Sequence, residues 1–374
     1  MRRLALLALL AAPVAARAQG TLSAQGFGYT PGQLGARSRA MGGGDAELDP
    51  ISPLNPAALI AARRSTLYFE VAPEVRQVDV AGEPSRTQLI RFPVFGAAIQ
   101  AGARTMIGIG ASTLADRTWG TSYTFDQQIG GEAITTTERF RSTGALNDVR
   151  LGVGYALTPG LWVGAGAHVI TGQNRIVQAR SFDDSRFLPY EERATLAFTG
   201  AAFSAGVAWR PLRAVAVAAS GRKGTKLTAR VADTVVGRGD VPDRAGVGVR
   251  FDGFRGATLA ARYDWTGWSS VDPIGTASLA SRDTREYGAG AEILGPRFAG
   301  TAVQLRLGGR RRELPFALAG AEIRETILGG GLGIPVARER AALDWSLERA
   351  TRSGEGVSAR ERAWLVGFGF TMRF

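Results

Sequence analysis

The side chains that could perform acid, base or metal chemistry are few and stand far apart in this sequence. His168 is the only histidine among 374 residues, and cysteine is absent. No serine and no acidic cluster accompanies His168 at a spacing typical of a nucleophile and its base. We therefore expect His168 to form hydrogen bonds inside the fold. The sequence predicts no catalytic residues and no enzymatic activity.

Metal and phosphate sites are equally poorly supported. The Asp183-Asp184 pair falls in a predicted loop, where solvation accounts for two adjacent carboxylates. Gly-x-Gly pairs occur at 152–154, 164–166 and 246–248. They lie on one face of predicted strands and no helix start follows them, so they indicate small inward positions rather than phosphate-binding loops. We expect neither a metal nor a cofactor.

The basic charge of the chain, +12 with a pI near 10.9, requires an explanation. Nucleic acid is the usual partner of such a protein. Here the basic residues are scattered singly, and an exported protein rarely meets nucleic acid, so we expect no binding to it. Two interpretations remain open. Arginines at an outer surface can pair with lipopolysaccharide phosphates, or the arginines line a wet lumen and loops.

The first residues predict export. Arg2 and Arg3 precede an uncharged run from Leu4 to Ala16, and the following Ala16-Arg17-Ala18 places small residues where signal peptidase cleaves. The run is too short to cross a bilayer as a helix, which needs roughly 20 residues. We expect a signal peptide at residues 1–18 and cleavage before Gln19.

The mature chain has the composition of a membrane β-barrel. The full sequence contains 50 glycines, and the mature part has no apolar run long enough for a membrane helix. A closed sheet is the other structure that satisfies every backbone group in hydrocarbon. Its strands alternate large apolar residues facing lipid with small or polar residues facing the lumen. We therefore predict an all-β, antiparallel transmembrane barrel in the cell outer membrane.

The C-terminus shows this alternation most clearly. Large apolar residues from Trp364 to Phe374 occupy every second position, and small or polar residues fill the positions between them. The chain ends on an aromatic residue of this pattern. With Phe370 and Phe374, the ending resembles the signal that the barrel-assembly machinery recognises, so that machinery is an expected partner.

Strand-like segments between Ser65 and Phe374 number about fourteen. Short turns and longer connections alternate along them, with the longer ones at 120–144, 176–192, 269–283 and 351–360. Outer-membrane barrels place short turns in the periplasm and longer loops outside. We assign the barrel to residues 65–374. Pro93 lies inside the second predicted strand, where it cannot donate a hydrogen bond to a neighbouring strand.

Residues 19–64 do not resemble a spanning strand, because glycines and prolines interrupt them. The stretch from Leu34 to Asp45, which contains Gly42-Gly43-Gly44, is followed by Asn55-Pro56-Ala57. Together they resemble the N-terminal hatch of the FadL family, which comprises long-chain fatty acid transporters and their aromatic-hydrocarbon relatives within a PorV-like superfamily. The sequence left open whether this segment plugs the lumen or hangs in the periplasm.

The resemblance implies a fourteen-stranded barrel that takes up hydrophobic molecules, such as long-chain fatty acids, without energy input. Asn55, Pro56 and Ala57 would form the hatch element whose movement opens the path, and Gly42, Gly43 and Gly44 would make it flexible. The ligand would leave sideways into the lipid, and Pro93 marks a possible gap in the wall. Two alternatives remain: a polar diffusion porin, and a noncatalytic barrel of the PorV type that assists protein secretion.

Overall fold

The computed structural model of this chain describes residues 27–80, 83–274, 281–298, 301–318, 320–338, 340–357 and 360–374. The predicted signal peptide at residues 1–18 and the first part of the predicted hatch lie outside these ranges. No helix in the described ranges is long and apolar enough to cross a membrane.

Strands dominate the described chain. One short α-helix, α1 (Ala36–Ala40), and a first 3-10 helix (Pro56–Ala62) precede them, and a second 3-10 helix (Trp268–Ile274) interrupts them. The strand segments are β1 (Thr66–Val80), β2 (Glu83–Arg91), β3 (Val94–Gln100), β4 (Thr105–Asp116), β5 (Trp119–Ile129), β6 (Glu132–Thr158), β7 (Leu161–Phe182), β8 (Tyr190–Leu212), β9 (Val215–Val231), β10 (Thr234–Asp240), β11 (Arg244–Phe254), β12 (Ala257–Thr266), β13 (Thr284–Phe298), β14 (Thr301–Leu318), β15 (Ala321–Val336), β16 (Ala341–Gly354) and β17 (Arg360–Arg373).

These segments form fourteen barrel strands. β2 with β3, β4 with β5, and β10 with β11 are each one strand with an interruption, because both members of each pair lie beside the same neighbour. Each strand is antiparallel to the next. β1 pairs with β17 from Thr66↔Arg373 to Asp79↔Arg360, which closes the ring. The prediction of about fourteen antiparallel strands in a barrel is confirmed.

The two faces of the wall differ as the alternation predicted. On β6, Leu151 is 54 % exposed on the outside, whereas the neighbouring Arg150 is 6 % exposed and faces the lumen. On β17, Trp364, Phe368 and Phe370 point outward between buried residues. An apolar exterior and a polar interior are what a barrel in lipid requires. The protein is an outer-membrane β-barrel.

The predicted external loops at 120–144 and 176–192 are wrong over most of their length. β5 and the first part of β6 form a hairpin there, and β7 continues to Phe182 before β8 begins at Tyr190. Beyond the lipid both faces of a strand meet water, so the apolar alternation that marks a strand disappears. The threonines and aromatic residues of this region still favour extended backbone, and pairing extends the wall outward.

Residues 27–63 lie inside the ring. Helix α1 packs against β14 to β17, and the first 3-10 helix packs against β4, β6, β7 and β8, which face them from the other side of the lumen. This location answers the question that the sequence left open. We predicted a hatch at residues 19–64 and a barrel at residues 65–374. This division, and the movement of the hatch, stay predictions. We refer to residues 27–63 as the N-terminal segment.

Candidate functional site

Ion pairs attach the N-terminal segment to the lumen wall. The Arg39 guanidinium lies 2.6 Å from the Glu348 carboxylate, and both side chains are buried. The backbone N–H of Ala36 donates to the Glu70 carboxylate at 2.6 Å. Removing one partner of a buried pair typically costs about 3–5 kcal/mol, because the other charge remains without compensation. Such contacts hold helix α1 firmly against the wall.

Glu47 makes a second attachment near β11. Its carboxylate pairs with Arg244 and accepts a 2.7 Å hydrogen bond from Ser220. Burial raises the pKa of Glu47, but Arg244 and Arg262 outweigh burial and hold the pKa below its ordinary value. The carboxylate is therefore charged at neutral pH. Its contribution to docking is present above the ordinary pKa and is lost as the pH falls through the lowered one.

The Asn-Pro-Ala element is the junction between the N-terminal segment and β8. Asn55 caps the first 3-10 helix, because its side-chain oxygen accepts from the Ala57 N–H at 2.9 Å. Its amide nitrogen donates to the backbone oxygen of Val207 at 3.2 Å. Pro56 and Ala57 pack on Gly164, where an added Cβ would lie 2.4 Å from the Ala57 nitrogen. The structure thus brings the three predicted residues together at the wall.

The predicted flexible glycines also lie against the wall. Gly42 has φ +61°, and a Cβ there would lie 2.4 Å from the backbone oxygen of Gly309. A Cβ on Gly44 would lie 2.5 Å from the Ala260 oxygen. Close approach is therefore one reason for glycine at both positions. Whether these glycines also allow movement stays a prediction.

His168 has partners that sequence reasoning missed. Its Nδ1 lies 2.8 Å from Asp148 and its Nε2 lies 2.8 Å from the Ser204 hydroxyl. The three residues are 20 and 36 positions apart in sequence, and only the register of β6, β7 and β8 brings them together. Asp148 also accepts from Gln33 of the N-terminal segment at 3.1 Å. The arrangement links the segment to the wall through a chain of hydrogen bonds.

Pro93 lies where the wall changes neighbours. β2 pairs with β1, and β3 pairs with both β1 and β4, but within the described residues no backbone pairing joins β2 to β4 or β5. We call the interval between β2 and residues 113–129 the seam. Pro93 stands between β2 and β3, at the periplasmic end of this seam.

The N-terminal segment completes the seam. Tyr29 and Asp116 form an antiparallel bridge, with N–H to O distances of 2.8 and 2.7 Å in the two directions. The Tyr29 ring lies within 5.2 Å of the Arg76, Arg91, Arg312 and Arg352 guanidinium carbons. Cation–π contacts of this kind strengthen when they are desolvated. No sequence signal marked Tyr29, because its partners, which include Glu325, come from six different strands.

A packed apolar cluster, which we call the chamber although side chains fill it, lies between the start of the N-terminal segment and the outer end of the barrel. The wall residues of this chamber are Leu114, Ala115, Leu146, Ile170, Phe198, Ala202, Leu227, Ala229 and Val241. Trp268, Val271 and Ile274 of the second 3-10 helix pack into it from the outer end. Phe27 packs among them, with its ring centroid 6.2 Å from those of Phe198 and Trp268.

One buried cation faces this chamber. The Arg117 guanidinium lies 4.8 Å from the Phe27 ring and 5.2 Å from the Phe198 ring, and it donates to the Phe27 backbone oxygen at 2.8 Å. Its Nε has no hydrogen-bond partner, and among the described residues no carboxylate forms an ion pair with it. A buried arginine without a carboxylate is rare, because burial disfavours an uncompensated charge. Arg117 was not predicted from the sequence.

The remaining predicted residues lie away from the lumen. Phe370 and Phe374 are exposed on the outside of the wall, as an assembly signal at the lipid face requires, and that role stays a prediction. Asp184 lies in the loop after β7 and accepts from Arg186 at 2.8 Å. In the described ranges no group of three acidic or histidine side chains is arranged to hold a metal ion.

Comparison with known proteins places the chain among outer-membrane barrels. The family model described as BamG matches residues 1–230. A Pseudomonas aeruginosa FadL homologue superposes with a TM-score of 0.66 at 13% identity, over 93% of this chain and 100% of that one. The CymD monoaromatic hydrocarbon channel gives 0.60 at 14%, over 91% and 97% of the two chains. The toluene transporter TodX of P. putida gives 0.56 at 14%, over 92% and 99%. No curated protein matches significantly in sequence.

Two neighbouring glycines of β14 test whether close packing docks the N-terminal segment. A Cβ at the inward Gly308 would lie 2.2 Å from the backbone of Met41, whereas a Cβ at Gly309 would meet the side chain of the exposed Leu328 at 2.9 Å. Gly308→Ala should displace the segment and raise ion conductance in planar bilayers. Gly309→Ala is the matched control and should behave as the unmodified protein. Equal conductance for all three proteins would contradict tight docking at Met41 and Gly42.

Proposed function

This chain belongs to the BamG family, and we propose that it carries hydrophobic compounds, such as long-chain fatty acids, across the outer membrane by passive diffusion. The apolar chamber carries this proposal. Its wall is aliphatic and aromatic, although the lumen around the N-terminal segment is lined with buried arginines and carboxylates. An apolar surface inside a polar lumen suits an apolar ligand. Three solved structures with the same fold are described as a FadL homologue, a monoaromatic hydrocarbon channel and a toluene transporter. These descriptions support the same substrate class.

The chamber and the seam are coupled through one short stretch of chain. Phe27 fills the chamber, and Tyr29, two residues later, bridges the seam. Gly28 between them has φ +125°, and a Cβ on it would lie 2.6 Å from the Asp116 oxygen. A ligand that displaces Phe27 from the chamber therefore pulls on the residue that closes the seam. In this mechanism entry of the ligand and opening of the wall are one movement.

The seam provides the exit in this proposal. Ile90 and Phe92 are exposed on the lipid side of β2 beside Pro93, so a ligand leaving there meets an apolar surface. Each CH₂ that enters lipid contributes about 0.8 kcal/mol, so release needs no energy input. The packed N-terminal segment also disfavours the alternative of a polar diffusion porin, because it occupies the lumen that such a pore needs.

A reversible crosslink tests whether the N-terminal segment must move. A Cβ built on Gly367 lies 3.8 Å from the Ala36 Cβ, which is the usual Cβ separation in a disulfide. Because the chain has no cysteine, Ala36→Cys with Gly367→Cys can form only this bond. Ser346→Ala is included in every protein, since the Ser346 hydroxyl would lie 2.3 Å from the new Cβ. We expect oxidation to reduce fatty acid uptake severalfold and reduction to restore it.

The two single-cysteine proteins are the controls, and oxidation should leave their uptake unchanged. Full uptake through the oxidised double variant would show that helix α1 stays in place during transport. The movable-hatch part of the proposal would then be wrong.

Labelling tests the exit at the seam. Ile90→Cys and Leu151→Cys place single thiols on the lipid face, at positions that are 69 % and 54 % exposed and lie on different parts of the wall. A bulky thiol reagent at Ile90, beside Pro93, should slow fatty acid uptake severalfold, because it obstructs the seam. The same reagent at Leu151 should have little effect. Equal uptake by both labelled proteins would argue for release into the periplasm instead.

Arg117 tests the long-chain fatty acid part of the proposal. A guanidinium bonded to a carboxylate contributes about 1.5–3 kcal/mol, so Arg117→Met should lower affinity for palmitate about tenfold or more. Affinity for methyl palmitate, which has the same chain and no charge, should hardly change. Arg349→Met is the control, since Arg349 stacks on Trp364 outside the barrel. If both ligands lose affinity equally, Arg117 supports the chamber and does not recognise an acid.

A further inference from the structure

Four arginines gather on the outer surface of the extended strands. Arg139 and Arg141 lie on β6, Arg175 on β7 and Arg193 on β8, and all four are exposed. The register pairs Arg141 with Val177 and Val177 with Arg193, and it places Arg175 one position diagonally from both. Diagonal neighbours in a sheet are about 7–8 Å apart, within reach of long side chains. We call these four residues the arginine cluster.

The cluster has almost no negative charge around it. Glu191 pairs with Arg193, while the described part of the chain offers no ion pair to Arg139, Arg141 or Arg175. Between the arginines the same face carries uncharged residues such as Thr143, Val177 and Thr195. Glu138 and Glu192 lie at this height at inward positions of their strands. Glu138 bonds Tyr123, Gln178 and Arg180, and Glu192 accepts from Tyr190. Like charges at this spacing repel one another, and an anion bound among them would relieve the repulsion.

The height of the cluster indicates which anion it meets. On β7 the run of strongly exposed large apolar residues ends at Val169, and Arg175 lies six positions farther from the membrane. At about 3.3 Å per residue and a strand tilt of roughly 35–45°, the cluster stands about 15 Å above the apolar band. This level lies beyond the first layer of lipid headgroups. It is the level of the sugars attached to an outer-leaflet glycolipid.

Arginine suits one chemical group at that level particularly well. Its planar guanidinium binds phosphate through two parallel hydrogen bonds, whereas lysine acts as a point charge. All four members of the cluster are arginine, and both lysines of the chain, Lys223 and Lys226, lie on β9. The geometry of four neighbouring guanidinium groups therefore suits phosphate groups.

We propose that the arginine cluster binds phosphates on the core sugars of lipopolysaccharide in the outer leaflet. This contact fixes a shell of anionic glycolipid against β6, β7 and β8. It depends on the location of the barrel in the outer membrane and on which end faces outward. It does not depend on the compound transported, so uptake and glycolipid binding fail or succeed separately.

The test measures retention of lipopolysaccharide by the full-length protein in nanodiscs. The probes are lipopolysaccharide with a phosphorylated core, the same material with its core phosphates removed, and lipid A alone. The variant combines Arg141→Gln, Arg175→Gln and Arg193→Gln. We expect it to bind the phosphorylated material about tenfold or more weakly, with a shallower dependence on salt. Binding of the dephosphorylated material and of lipid A should change little.

The matched control removes the same charge from the opposite wall. Arg285→Gln, Arg324→Gln and Arg362→Gln alter exposed arginines of β13, β15 and β17, which are separated by β14 and β16, and this protein should bind as the unmodified one does. Arg141→Lys with Arg175→Lys and Arg193→Lys should restore part of the binding. The proposal is wrong if the cluster variant retains full binding, if the control loses as much, or if lipid A alone shows the whole loss. Fatty acid uptake by the folded cluster variant should be unchanged.

Discussion

The need of every backbone N–H and C=O for a partner governs this structure. Hydrocarbon offers none, so the sheet must close on itself, and β1 closes it by pairing with β17 along nearly its whole length. Within the described residues, neighbouring strands do not pair along the seam beside Pro93 or along the edge of β10 that lies against the second 3-10 helix. At the seam, the backbone of Tyr29 in the N-terminal segment supplies the missing hydrogen bonds to the backbone of Asp116. In the proposed mechanism, movement of this segment away from Asp116 opens the wall sideways.

Buried charge helps to hold the N-terminal segment in the lumen. Arginines and carboxylates of the lumen neutralise one another across strands, as Arg352 does with Glu325 at 2.5 Å. Such pairs contribute little net stability, yet breaking one is costly. The segment is therefore docked in a defined position by ion pairs as well as by apolar contacts. Its apolar side chains pack in several clusters, and Phe27 is the one that a hydrophobic ligand would replace in the proposed mechanism. In the proposed mechanism, the ligand replaces one apolar group by another, so the free energy cost of opening is small.

The sequence predicted the wall far better than it predicted the lumen. Alternation is a local pattern, so the strand number, the outward face of β17 and the inward position of His168 all followed from it, and Pro93 marked the interruption between β2 and β3. Beyond the lipid this alternation is absent, so the sequence predicts loops where the structure has β5 and the outer parts of β6 and β7. Most contacts of the candidate site could not be predicted from the sequence. Tyr29 meets Glu325, and Asp148 meets His168 and Ser204, only because the barrel closes with a particular register.

The account turns on whether ligand binding detaches Tyr29 from the wall. Hydrogen–deuterium exchange at the amides of Tyr29 and Asp116, which bond one another's carbonyls, measures this directly in the full-length protein. With a saturating long-chain fatty acid, both amides should exchange faster, while amides in the middle of β7 and β8 keep their protection. If the fatty acid binds and both amides remain equally or better protected, the ligand leaves the seam closed, and the proposed coupling of chamber and wall is wrong.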